Sequence, residues 1–147
     1  MKRRTNRSFL RKHSLSLAAL GVVILWIILY SESNQNTHFG SFFGNAIADW
    51  SGVVVTVVMT KYLYEKGSRE SREPKNDILP SRVMEILREH SLTIFLVITG
   101  VGWAIAFGAM DATSKWGQVV GNIVSEWTQI IGLVLMTKRL IEVGSKE

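Results

Sequence analysis

The chain contains no cysteine and only two prolines among its 147 residues. Without cysteine there are no disulfides, no thiolate metal ligands and no cysteine nucleophile. Charge is missing over long stretches as well. No Asp, Glu, Lys or Arg stands between Ser14 and Ser31, or between Ser91 and Met110. Phe39 to Thr60 holds a single acid, and so does Trp116 to Thr137. The sequence also lacks a phosphate-binding loop, a paired-histidine zinc spacing and a Gly-x-Ser-x-Gly elbow. These absences exclude a soluble globular enzyme and a disordered chain, although the average composition, 47% hydrophobic and 20% charged, resembles that of a soluble protein.

What is present is four apolar runs of membrane-crossing length. About 20 helical residues, rising about 1.5 Å each, cross a hydrocarbon core of about 30 Å. The runs predict spans at about 14–31, 42–63, 91–110 and 118–140. The first has a basic flank like a signal peptide, but no small-x-small cleavage site follows it before Glu32, so it reads as a retained helix. Basic residues set the orientation. Of 17, six precede the first span, seven lie from the end of the second to the start of the third, and three stand near the end of the chain, which leaves only Lys115 on the other side. The positive-inside rule then places both termini and the central loop in the cytoplasm. The net charge of +5 belongs to this topology rather than to nucleic-acid binding.

The chain repeats itself at an offset of 77. Comparing 10–70 with 87–147 without gaps gives 20 identities in 61 positions, among them His13 with His90, Trp26 with Trp103, Asn45 with Asn122, Trp50 with Trp127 and Lys61 with Lys138. Shared apolar composition does not put Trp, Asn, His and Lys at one offset; duplication does. The expected units are 1–70, a linker with an interfacial amphipathic helix at 71–86, and 87–147. Each unit has two spans, so both insert the same way. The predicted fold is an all-α membrane protein of four transmembrane helices, built from two parallel two-helix repeats related by a pseudo-twofold along the membrane normal. Val83, Met84, Ile86 and Leu87 give the interfacial helix its lipid-facing side.

Two sets of matched residues are candidates for function. The first is for helix packing: Gly40 and Gly44, repeated as Gly117 and Gly121, with Gly100 and Gly108 on the third span. Small residues four apart let helices approach closely in lipid. The second set surrounds the only acids inside the spans, the matched Asp49 and Glu126. An ionised acid at mid-membrane costs roughly 2.5–3.5 kcal/mol on insertion scales, so such a group pairs, faces water or holds a proton. Asn45, Thr56, Asn122 and Gln129 lie along the same helices and complete a polar row that can bind or relay a cation. A structural reading competes: Asn45 and Asp49 as cap and dipole partner of a helix start, with Trp50 and Trp127 as interfacial anchors. His13 and His90 stand at the inner mouths of spans one and three, each before a serine that looks like a helix cap; a paired-histidine haem or metal site there has no further ligand in the motif. Lys61 with Glu65, and Lys138 with Glu142, are spaced for salt bridges along a helix. No metal or other cofactor is called for.

The motifs His13-Ser-Leu-Ser-Leu17, the region of Trp50 and Gly67-Ser-Arg-Glu-Ser71, with their copies at His90, Glu126-Trp127 and Gly144, resemble those of a bacterial family of duplicated two-span membrane proteins of unknown function. That resemblance implies the bacterial inner membrane and no assigned activity. Two functions fit the residues. One is a non-enzymatic proton or cation conduit or carrier, most simply a homodimer in the bilayer. The other is an accessory, scaffold or stress-response subunit that docks a membrane protein partner through its glycine faces, with no nucleic acid involved.

Overall fold

A computed structural model describes residues 9–68, 81–138 and 140. The chain's ends and most of its central linker, including Glu142, lie outside these residues. All regular structure among the described residues is helical. After a helical turn at 9–12 come α1 (Ser14–Glu32), α2 (His38–Tyr62), α3 (Arg82–Glu89), α4 (Ser91–Ala109) and α5 (Lys115–Met136). The helices α1, α2, α4 and α5 are long and apolar enough to cross a membrane.

Local chemistry explains where the helices begin. Thr37 and Ser114, at matched positions, accept the backbone N–H of Gly40 and Gly117 at 3.1 and 3.0 Å. Just ahead of each cap, Asn34 and Asp111 accept the N–H two residues on, from Asn36 and Thr113. These turns start α2 and α5 several residues before the apolar runs do. The expected spans at 42–63 and 118–140 therefore shift to 38–62 and 115–136. It follows that Asn45 and Asp49 lie two and three turns inside α2 and are not its cap. Ser81 caps α3 through the Met84 N–H, and the apolar side chains Val83, Met84, Ile86 and Leu87 of this short helix are exposed.

Packing follows hydropathy. The chain forms two hairpins, α1 with α2 and α4 with α5, joined by contact between α2 and α5. The mean hydropathy of α1 and α4 is 2.2 and 2.1, against 1.5 for the central pair, so the most apolar helices flank and the more polar ones meet in the middle. One core cluster gathers Tyr30, Ile47, Ala48, Val119, Ile123 and Trp127; a second gathers Leu92, Leu96 and Val134. Trp127 is 5% exposed and donates its indole N–H to Thr99 Oγ1 at 2.8 Å. It is a core residue and not the interfacial anchor that the competing structural reading made it.

Five of the six candidate packing glycines lie against groups of their own hairpins. The carbonyl group of Asn34 occupies the space of a Cβ on Gly40, with its carbon at 2.7 Å, and Asp111 does the same to Gly117. Gly44 lies against the ring of Tyr30 and Gly121 against that of Phe107, at matched positions. Gly100 faces Trp127. A Cβ on Gly108 would meet nothing within 4 Å, so the packing contact expected there is not made among the described residues.

Candidate functional site

The two hairpin loops lie at one end of the bundle and lock together. Tyr30 donates its hydroxyl to the Lys115 carbonyl at 2.6 Å. In return Lys115 Nζ donates to the carbonyls of Ser31 and Ser33, at 2.9 and 2.7 Å, and so caps the C-terminal end of α1. Close by, Asp111 accepts from both the hydroxyl and the N–H of Thr113, which hold its carboxyl below the usual range.

The polar row lies deeper, between α2 and α5. Asn122 Nδ2 donates to Asn45 Oδ1 at 2.5 Å. These two residues are each other's counterparts at the offset of 77. One turn further, the Glu126 side chain lies across α2 at Gly52, with its Cγ 2.7 Å from where a Cβ would stand. Any side chain at 52 would push the carboxylate aside. Glu126, Gln129 and Thr56 then share a groove of about 310 Å³ with Gly52, Val53, Val57, Ile130 and Leu133. Asp49 is exposed, about one turn before Gly52 and Val53 on α2. A smaller cavity of about 40 Å³, room for a water molecule or two, continues from Thr56, Ile130 and Leu133 to Thr60. The fold thus brings Glu126, Gln129 and Thr56 to one groove, pairs Asn45 with Asn122, and leaves Asp49 at the groove's edge.

At the opposite end the structure adds a cluster that the sequence patterns did not assemble. Glu65 is fully buried. Its Oε1 is 2.7 Å from His90 Nδ1 and is also paired with Lys138, while Oε2 accepts the Thr93 N–H at 3.2 Å. Burial alone would raise its pKa, but the hydrogen bonds from Lys138, Thr93 and His90 together outweigh it and lower the pKa. Two expectations are corrected here. Lys61 and Glu65 do not pair along a helix, because α2 ends at Tyr62; Lys61 instead meets His13, Nζ to Nδ1 at 3.2 Å. Ser14 and Ser91 are not caps: each is the first residue of its helix, and its hydroxyl donates back to the carbonyl of Arg11 or Arg88. The histidines go to separate contacts, His13 to Lys61 and His90 to Glu65. The signal for this cluster was present in sequence as three matched pairs, His13/His90, Lys61/Lys138 and Glu65/Glu142.

Comparison with family models, curated proteins and solved structures returns no match to this chain.

Proposed function

We propose that the protein is a small proton or cation conduit or carrier of the bacterial inner membrane, working through Glu126 and Asp49. The observation that carries this reading is the groove in which Glu126, Gln129 and Thr56 meet at mid-span. A carboxylate there is costly unless water or a cation reaches it. The groove is open along one side, and the small cavity extends it toward Thr60. In this reading two copies set their grooves face to face, so that the acids line one shared path.

The hairpins are two copies of one unit about a pseudo-twofold along the membrane normal. Three kinds of contact at the offset of 77 support this: the Asn45–Asn122 bond, the paired loop caps, and the aromatic ring set on Gly44 and on Gly121. With 16 of the 17 basic residues at the end that carries the termini and central loop, that end faces the cytoplasm. The competing accessory reading needs glycine faces free to dock a partner. Gly40, Gly44, Gly100, Gly117 and Gly121 are instead filled by groups of this chain.

The test is proton and monovalent-cation flux into liposomes holding the purified protein, beside a folded Asp49→Asn, Glu126→Gln double variant. Flux in the wild type that the double variant loses is the expected result. No flux above empty liposomes, at either voltage polarity and at acid and neutral pH, would overturn the proposal. A stoichiometric membrane partner in native purifications would then favour the accessory role.

A further inference from the structure

A carboxylate inside a span calls for a counter-charge, and the described residues give Glu126 none. The ion pairs among them fall to Glu65 and Glu89. The nearest basic residues in sequence stand about three turns away on either side, Lys115 and Lys138. Both are taken. Lys115 holds the carbonyls of Ser31 and Ser33, and Lys138 pairs with Glu65. On α2, Lys61 meets His13 instead. The counter-charge of Glu126 is therefore a ligand's.

The walls of the groove decide which kind of cation fits. Glu126, Gln129 and Thr56 present oxygens, whereas Val53, Val57, Ile130 and Leu133 present only hydrocarbon. A metal ion stripped of water needs about six oxygens around it, and a hydrated one gains nothing from apolar walls. A proton needs no room, yet the groove has about 310 Å³, the low end of the range for small-molecule sites. A primary ammonium with a carbon chain suits both parts. Its three N–H donors match three acceptors, the Glu126 carboxylate, Gln129 Oε1 and Thr56 Oγ1. Its chain has four apolar side chains to lie against. Two of these, Val53 and Leu133, are exposed at the open side, so that the chain enters from the bilayer hydrocarbon while the head reaches the acid. Gly52 keeps the place clear, since the Glu126 carboxyl carbon lies 2.9 Å from where a Cβ there would stand.

We infer that the groove binds a primary alkylammonium ion, its head on Glu126 and its chain along Val53, Val57, Ile130 and Leu133. This names the cation of the path proposed above, and it rests on that reading of Glu126 as a binding residue.

The experiment titrates the full chain in phosphatidylcholine nanodiscs with radiolabelled hexylammonium, and subtracts binding to empty nanodiscs. Saturable binding is expected, about tenfold or more tighter than that of methylammonium, because each buried methylene adds affinity. Sodium and potassium at equal concentration should not displace it. Glu126→Gln should weaken binding about tenfold or more, the loss of a charged hydrogen bond, and Gly52→Val should weaken it by pushing the carboxylate aside. Glu32→Gln removes an exposed acid at the end of α1 and should change it about twofold at most. Equal losses in Glu126→Gln and Glu32→Gln would overturn the site in favour of diffuse charge, and so would displacement by sodium or potassium. Equal affinity for methylammonium and hexylammonium would overturn it on wild-type protein alone, whatever the variants do. Absence of saturable binding would overturn it too, the groove then being covered by a second copy or a lipid chain. The flux assay separates this ligand from the path itself. Flux that needs Glu126, with no hexylammonium bound, would refute the ligand and leave the path. Binding that needs Glu126, with no flux, would support the ligand and remove the conduit.

Discussion

Replacing Glu65 by Gln removes one charge and almost no volume from the most enclosed polar cluster among the described residues. The carboxylate is fully buried and meets His90, Lys138 and the Thr93 N–H. Removing one partner of a buried ion pair costs about 3–5 kcal/mol. Two features reduce that here. The side chains of His90 and Lys138 are 39% and 25% exposed, so water covers part of the stranded charge. Glutamine also keeps one oxygen that can still accept the Thr93 N–H. About 2–3 kcal/mol is therefore expected, measured by titrating SDS into mixed micelles at pH 7. The variant also tests a pH dependence. Because the folded-state pKa of Glu65 is lowered, its contribution is present above the ordinary carboxylate range and is lost as pH falls through the folded value. Asp111 titrates in the same direction, so the informative quantity is the difference between wild type and variant. That difference should shrink as the medium becomes acid. A variant within about 0.5 kcal/mol of wild type at pH 7, or a difference that does not change with pH, would refute the assignment of Glu65 as the tie between the hairpins.

The glycines and the interlocked loops yield two further tests. Gly40→Ala puts a methyl group on the Asn34 carbonyl and should cost about 2 kcal/mol or more, whereas Gly108→Ala meets nothing and should gain up to about 1 kcal/mol from helix propensity; unfolding titrations of the pair measure both. Lys115→Met removes the donor to the Ser31 and Ser33 carbonyls and should cost about 1 kcal/mol, with faster amide exchange confined to the loop after α1 as its signature.

Sequence patterns carried the large-scale architecture because hydropathy and charge act over whole helices. Four charge-poor runs became four long helices, and the short amphipathic segment before the third became α3. Helix starts were less legible. A cap such as Thr37 or Ser114 sits in a polar loop outside the apolar run, so hydropathy places the start of α2 at 42 where hydrogen bonding places it at 38. The serines after His13 and His90 misled for the converse reason: a helical turn precedes each helix, so a hydroxyl that would otherwise cap an N-terminus finds a carbonyl behind it. The groove residues Thr56, Glu126 and Gln129 were readable, since helical spacing put each on the central pair. The Glu65 cluster was not assembled. A repeat tells which residues correspond, but it does not tell whether a side chain contacts its own unit or the other. Glu65 crosses to the other, because α2 stops at Tyr62 and the chain then turns toward α4.

The Asn45–Asn122 bond has a consequence for how such a chain can arise. An asparagine amide both donates and accepts, so it needs no chemically different partner. Two separate copies of a single hairpin could meet through the same amide and present the same surface to each other. Joining them in tandem would leave that meeting point unaltered while freeing other positions to diverge. Gly52 and its counterpart Gln129 are such a position: one leaves the space that the Glu126 side chain crosses, and the other lines the groove beside it. A gene that encodes both hairpins can thus set different residues at matched positions, as it does at Gly52 and Gln129, which two identical hairpins cannot do.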